Sequence, residues 1–568
     1  MWSNFDQWLA SDLRTSSHAL TCLDLVGDGS QTLSRLNAVL KAGERVAKSG
    51  EVHWVWGTDA ANFPIRPPDG LPVLPGQWPA PLPGIHRCWL THLPYRVSLT
   101  IVIGDRDTML SELALMADWV LVDSRSPIPD LSAVCQAHTQ IWPLRDSQIH
   151  NVPLAHQPVK RVPLHLADEA WFSVSRRHSK PQARRAVVVG AGISGLTTAA
   201  VLGLRGWSVT VIDPYPPGAG SRHAAHLTAA LTPVISSDDN ERSQLSRAGA
   251  IAADRFWAQL PTVIGQRCGA LQLQKPADQR RSSDLAAVSD AFGIPAWAHW
   301  VDAAHASERA GQPLSRGGLW FPGAWSVQVA QLLNVLATMP GVTVVAARAD
   351  RGLKQAGVWQ VLDETSTLLA ESPNLVLANA GDSHDLLTRS GLMGELMGGT
   401  LAATPAARGR IAGLHQLSGE VTYLPAQSLA GGPACIVGGD GYVLPAVDGW
   451  CISGGTYVRG ATQAVCTPEG VLTNIERASQ LLDMPDLKTT LSGRQWPGWA
   501  GFRAVLPGRL PAIGPTANRE TDGLWLFTGG ASRGLTWSVL GAELIADALD
   551  GAPLALKISL IRQVFPGL

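Results

Sequence analysis

Short apolar runs closed by a glycine or an acid recur along the chain, and one stretch arranges them completely. Ala186 to Val189 is a β-branched run, followed by Gly190, Gly192 and Gly195 in a Gly-x-Gly-x-x-Gly turn. A helical pattern comes next, then a second strand from Trp207 to Ile212 closed by Asp213. The order strand, glycine turn, helix, strand, acid predicts a dinucleotide-binding βαβ unit. A fainter version lies upstream. His18 to Val26 reads as a buried strand, Gly27-Asp28-Gly29 as a turn, and Gln31 to Ala42 as a helix with leucines at 33, 36 and 40. Val97 to Ile103 and Trp119 to Val122 are further strands, ending at Asp105 and Asp123. Between Ser124 and Lys180 scattered prolines interrupt any alternation, which predicts a shortened or irregular end to that domain.

Downstream the period changes. Glu420 to Leu424, Gly441 to Leu444 and Trp450 to Tyr457 read as antiparallel strands, and Gly317-Gly318-Leu319-Trp320 as the edge of the same sheet. Asn374 to Gly381 and Gly523 to Thr528 are apolar strands ending in small residues, as late strands of the nucleotide domain would. Ser538 to Ala548 then reads as a helix. The pattern predicts an α/β chain: an N-terminal Rossmann-like domain, then an FAD-type Rossmann domain carrying an inserted antiparallel substrate domain. The boundaries are 1–175, a basic linker at 176–184, and 185–568.

Composition narrows this picture. With 568 residues, 45% hydrophobic and 16% charged, the chain is long enough for two or three globular domains. A formal net charge of −1 announces no basic field, although a patch on one face suffices for a polyanion. Arg176, Arg177, His178, Lys180, Arg184 and Arg185 form such a patch, readable as a solvated linker or a nucleic-acid contact. Seven cysteines without C-x-x-C spacing argue against disulfide or metal frameworks and suit a reducing compartment. The first residues lack the basic and apolar regions of a secretory signal, and no apolar run is long enough to span a membrane. A cytoplasmic monomer without metal is expected.

The candidate chemistry gathers at strand ends. The glycines at 190, 192 and 195 permit a tight turn, approach of a pyrophosphate, and close helix packing, while Asp213 is placed for a ribose hydroxyl. Gly529, Gly530, Ser532, Arg533 and Gly534 form a second small-residue turn opening a helix, able to point N–H groups at the electron-rich end of a flavin. Gly218 to Pro233 reads either as a cofactor-side loop or as a small-residue helix start. Asp105 and Asp123 read as ligand contacts or as helix caps.

Longer phrases carry a family resemblance. GWAGFRAVLPGRLPAIG at 498–514, FTGGASRGLTWSVLGAELIA at 527–546, DGYVLP at 440–445 and GGTYVRG at 454–460 resemble the C-terminal half of the bifunctional tRNA 5-methylaminomethyl-2-thiouridine biosynthesis enzymes. That half is a D-amino-acid-oxidase-like FAD oxidoreductase. QWPAPLPGIHR at 77–87, RVSLTIVIGD at 96–105 and ADWVLVDSRSP at 117–127 resemble the family's methyltransferase domain. There Val26-Gly27-Asp28-Gly29-Ser30 stands where the family has Gly-Phe-Gly-Thr-Gly, so a degenerate domain is expected.

The resemblance implies FAD and S-adenosylmethionine as cofactors and a tRNA wobble uridine as substrate. It implies oxidation of a carboxymethylaminomethyl arm to an aminomethyl arm, followed by methylation. Arg503 would clamp the arm's carboxylate, or else form a structural ion pair between domains; Tyr442 and Tyr457 would border the pocket. Gly27 and Gly29 would pass under S-adenosylmethionine, Asp105 would bond its ribose or adenine, and Asp123 would act on the incoming amine. Two further readings stay open: a small-molecule amino acid oxidase of the glycine or sarcosine type, and a non-catalytic N-terminal docking module.

Overall fold

The structure is a computed structural model. It describes residues 20–26, 32, 35–37, 50–58, most of 63–91, 95–123, 129–149 apart from 132, 146 and 147, 184–274 apart from 219, 297–393, 411–516 and 522–566. The chain divides into two compact units. The first comprises 1–183 with 543–565, and the second 184–542 with 566–568.

The first unit is built on a seven-stranded sheet. In chain order its strands are β1 (Leu20–Asp24), β2 (Gly50–Thr58), β3 (Gly84–Thr91), β4 (Tyr95–Ile103), β5 (Ala117–Asp123), β6 (Cys135–Arg145) and β7 (Gln148–Ile149). Across the sheet they run β3-β4-β2-β1-β5-β6-β7, parallel except for β3 and β7. Alternate residues feed two cores, which is why these strands read as continuous apolar runs. Leu20, Cys22, Trp54, Leu99 and Trp119 lie in one core, and Leu23, Val55, Val102 and Val120 in the other. Strand order reverses at β1, whose carboxyl end is therefore the switch point where open α/β sheets take ligands.

Two expectations need correction. The segment after Asp123 is not merely irregular: after a register shift, β6 pairs in parallel with β5 from Gln140 to Leu144. Pro143 hid it, yet β6 has only the two-residue β7 on its other side, where a missing N–H costs little. Nor does Gly318–Phe321 form a sheet edge, because His299–Val301 covers it. That strand of three residues is too short to show a period.

The second unit holds the nucleotide sheet, with β8 (Arg185–Val189) and β9 (Ser208–Asp213) at its centre. Its order is 342–346, β9, β8, 375–377, 524–528, 512–515, all parallel except the last. The glycine turn after β8 therefore lies between β9 and the strand 375–377, with the late strand 524–528 next beyond. A nine-stranded sheet forms the inserted domain, in which His415–Pro425 pairs with both Trp450–Gly454 and Gly498–Val505. Among the described residues no helix is long and apolar enough to cross a membrane.

Candidate functional site

Three loops meet at the carboxyl end of β8. Gly190 adopts φ +111°, and a Cβ there would lie 2.6 Å from the Ala378 carbonyl oxygen. A Cβ on Gly195 would fall 1.9 Å from the carbonyl oxygen of Gly190, so these two glycines answer to the fold itself. Gly192 differs, since a Cβ there would meet nothing within 4 Å. Gly192 caps the helix Ile193–Leu204 without a side-chain bond, leaving first-turn N–H groups for an anion. Asp213 accepts from the Ala191 N–H at 2.8 Å and the Tyr215 N–H at 2.7 Å, so its carboxylate splints β9 to the turn.

The C-terminal turn stands beside the first. A Cβ on Gly534 would lie 3.3 Å from Ile193 Cγ2, and the Thr528 hydroxyl donates to the Ala380 carbonyl at 2.7 Å. The helix that follows runs Gly534–Asp550, starting at the last glycine and four residues before the expected Ser538. Arg533 Nη1 donates to the Thr232 carbonyl at 2.7 Å, tying Gly218–Pro233 to this turn. That contact favours the cofactor-side reading of the stretch.

Arg503 lies on the facing sheet, on the strand Gly498–Val505. Trp499, Gly501 and Arg503 share one face, opposite Val421, Gly419 and Leu417. A Cβ on Gly419 would meet Arg503 Nη1 at 1.7 Å, and one on Gly501 would meet the Trp499 ring at 2.3 Å. The two paired glycines thus give both side chains their room. Arg503 Nη1 donates to the Thr456 carbonyl at 3.0 Å, and its guanidinium lies 4.7 Å from the centre of the Tyr457 ring. Among the described residues no carboxylate pairs with Arg503. Tyr457 is 57% exposed, while burial pushes the Tyr442 hydroxyl up to about 12.

The sequence reading missed an aromatic stack here. His226 lies on Trp499 with ring centres 3.9 Å apart and planes 8° apart, and His223 lies 5.4 Å from the same ring. The Trp499 indole N–H donates to the Arg222 carbonyl at 2.9 Å, and the Tyr423 hydroxyl donates to the Ala225 carbonyl. Burial, then the charges of His223 and Arg503, pulls His226 down to about 3, so its ring is neutral. Two histidines three apart in a small-residue stretch were the available signal.

In the first unit, Asp24 ends β1 fully buried. It accepts from Arg35 Nε at 3.0 Å, Arg35 Nη2 at 3.1 Å, the Thr32 hydroxyl at 3.0 Å and the Val26 N–H at 3.1 Å. Asp105 accepts from the Thr108 N–H at 2.9 Å, capping the helix Arg106–Ser111. Asp123 ends β5, beside β1 at the switch point. Gly27 and Gly29 lie outside the described residues, as do Arg176, Arg177, His178 and Lys180.

Comparison with known proteins accords with this geometry. Residues 185–548 match the family model for FAD dependent oxidoreductases. The tRNA 5-methylaminomethyl-2-thiouridine biosynthesis bifunctional protein MnmC of Cupriavidus metallidurans is 31% identical over 88% of this chain and 79% of its own. That of an Azoarcus species is 31% identical over 91% and 84%. Such coverage reaches well past the oxidoreductase region into the first unit. Among solved structures, glycine oxidase from Bacillus cereus is similar in fold, with TM-score 0.52 and 18% identity over 65% of this chain and 95% of that one. Iminodiacetate oxidase from Chelativorans is comparable, with TM-score 0.51 and 20% identity over 65% and 96%.

Proposed function

The chain belongs to the MnmC family of bifunctional tRNA 5-methylaminomethyl-2-thiouridine biosynthesis proteins, and on that premise we propose that its second unit removes the carboxymethyl group from 5-carboxymethylaminomethyl(-2-thio)uridine in tRNA. The product is the 5-aminomethyl nucleoside. The observation that carries this reading is Arg503, a guanidinium on the substrate sheet that no carboxylate of the described chain neutralises. The arm to be cut is an N-substituted glycine, whose carboxylate matches the bidentate edge of that guanidinium.

FAD fits the residues present: the turn that Gly190 and Gly195 close leaves Gly192 and the uncapped helix start open to a pyrophosphate. Asp213 retains lone pairs for a ribose hydroxyl, and Gly529, Gly530, Ser532, Arg533 and Gly534 form the second wall. The chemistry that a bound flavin supplies is acceptance of a hydride from the arm's α-carbon, after which water splits the imine into aminomethyluridine and glyoxylate. Arg503 holds the carboxylate and so turns the α-carbon toward the nucleotide-domain loops. The neutral ring of His226 adds no charge beside the substrate amine.

In the first unit, Asp123 at the switch point is assigned to the amine that an S-adenosylmethionine-dependent methylation would use, while Asp105 is engaged as a helix cap. Mass spectrometry of nucleosides from cytoplasmic tRNA of cells lacking the protein tests both units. Accumulated carboxymethylaminomethyluridine is expected, and accumulated aminomethyluridine in cells keeping only the oxidase marks the methylation. Unchanged tRNA would overturn the reading.

A further inference from the structure

The strand Gly498–Val505, which carries Arg503, is tied to the cofactor side at both of its ends. At one end Val505 bridges Gly530 of the second glycine turn. At the other, Trp499 holds the loop that runs from Asp213 to the strand Ala229–Leu231. The oxidase reading gives Trp499 no task.

Four contacts seat this loop on the substrate sheet. The Trp499 ring stacks on His226 with centres 3.9 Å apart, and its indole N–H donates to the Arg222 carbonyl at 2.9 Å. Tyr423 lies on the neighbouring strand; its hydroxyl donates to the Ala225 carbonyl and accepts from the Leu227 N–H at 3.3 Å. The two ends of the loop are fixed to cofactor elements. The Arg222 guanidinium lies 4.9 Å from the centre of the Tyr215 ring, and the Tyr215 N–H donates to Asp213 at 2.7 Å. The Thr232 carbonyl accepts from Arg533 of the second turn at 2.7 Å. One loop thus joins the ribose acid, the strand of Arg503 and the second glycine turn.

Trp499 is also a direct neighbour of the guanidinium. Its indole takes the room left by Gly501, where a Cβ would come within 2.3 Å of the ring, and Arg503 takes the room left by Gly419. Gly419 and Gly501 are directly opposed, and opposed positions in paired strands stand about 4.5–5.5 Å apart, so ring and guanidinium lie side by side. The bridge at Val505 alone would leave a pivot. Arg503 lies two residues, about 7 Å, from that pivot, so a tilt of about 8° carries the guanidinium roughly 1 Å. A misplacement of about 1 Å can cost about 10²-fold in rate. We propose that Trp499 is a positioning residue for the oxidation: by gripping His226 and Arg222 it holds the carboxylate clamp in register with the cofactor loops. This rests on the carboxymethyl-removing reading above.

The test uses the full-length flavin-loaded protein and its Trp499→Leu, Trp499→Phe and His226→Leu variants, mixed anaerobically with tRNA bearing carboxymethylaminomethyluridine. Flavin content, the limiting rate of flavin reduction and the tRNA concentration at half-saturation are measured. Trp499→Leu is expected to keep its flavin, since the loop's anchors at Tyr215 and Thr232 remain, and to stay within about threefold in half-saturation, since Arg503 remains; its limiting rate should fall roughly ten- to hundredfold. Trp499→Phe keeps a ring against His226 and should recover most of that rate, short by about fivefold for the missing indole bond. His226→Leu breaks the same stack from the loop side and should also slow reduction. Combined with Trp499→Leu it should add almost nothing, because both changes remove one contact. A limiting rate in Trp499→Leu within threefold of the parent protein overturns the assignment. So does a rate that falls only in proportion to lost flavin, or a double variant whose loss is the product of the two single losses. If the parent protein holds flavin that this tRNA does not reduce, the substrate reading itself fails, and this inference with it.

Discussion

Replacing Arg503 by methionine separates recognition from folding, because the side chain keeps an unbranched apolar stem and loses the guanidinium with its charge and donors. In the folded protein the change removes one hydrogen bond to the Thr456 carbonyl and the contact with the Tyr457 ring. No ion pair is broken among the described residues, so the stability cost is about 1 kcal/mol. The substrate loses far more: two charge-assisted bonds at about 1.5–3 kcal/mol each, or roughly 3–6 kcal/mol together. That corresponds to a fall in kcat/KM of about 10² to 10⁴. Arg503→Lys should fall between, keeping the charge without the planar fork. Gly419→Ala should reproduce the loss with the arginine still present, since its Cβ would lie 1.7 Å from Nη1 and 2.4 Å from the Thr456 carbonyl oxygen. The assay is the initial rate of loss of carboxymethylaminomethyluridine across tRNA concentrations, normalised to flavin content. An Arg503→Met protein within threefold of the unmodified rate would refute the reasoning, as would a rate loss fully matched by lost flavin.

The two glycines of the first turn should respond differently to alanine. Gly195→Ala, with its Cβ 1.9 Å from the Gly190 carbonyl oxygen, is expected to destabilise the unit in thermal unfolding, whereas Gly192→Ala should unfold normally yet hold FAD more weakly by equilibrium dialysis. His226 sets a pH dependence of stability. Its folded-state pKa of about 3 lies below the ordinary 6.5, so only the unfolded chain takes up the proton in between. Stability is therefore flat above pH 6.5 and falls toward pH 3 by up to about 1.4 kcal/mol per unit. His226→Phe keeps an aromatic ring for Trp499 and should remove that slope in chemical denaturation at several pH values. In the first unit, Arg35→Met leaves the Asp24 carboxylate buried without its cation and should cost about 3–5 kcal/mol in urea unfolding. Adding Asp24→Asn should recover part of that loss.

The glycine turn was legible in the sequence because its requirements are local. Gly195 answers to the carbonyl of Gly190 and Gly190 to the residues just after the strand 375–377, itself an apolar run, while Gly192 meets no neighbour and answers to the turn's opening. The substrate wall was only half legible. Arg503 stood out in its phrase, but its lack of an ionic partner among the described residues depends on strand register, which sets Leu417 opposite it. The stack of His226 on Trp499 joins residues more than 270 positions apart and leaves no periodic trace. Asp105 shows a different limit, since an acid after a strand and an acid before a helix occupy the same place in a sequence. The Thr108 N–H shows that Asp105 caps a helix. β6 was hidden because one proline outweighed a run of residues that an almost unpaired outer side tolerates.

Gly419 and Gly501, directly opposed in neighbouring strands, floor a trough in the substrate sheet with bare backbone. The depths at which the guanidinium and the Trp499 ring lie are thus governed by two missing methyl groups, at Gly419 and Gly501 respectively, on residues that bear no functional atom themselves. Arm length could therefore be retuned there, with every reacting side chain unchanged. Relatives that differ at either position should differ in which substituted amines they accept before they differ in chemistry.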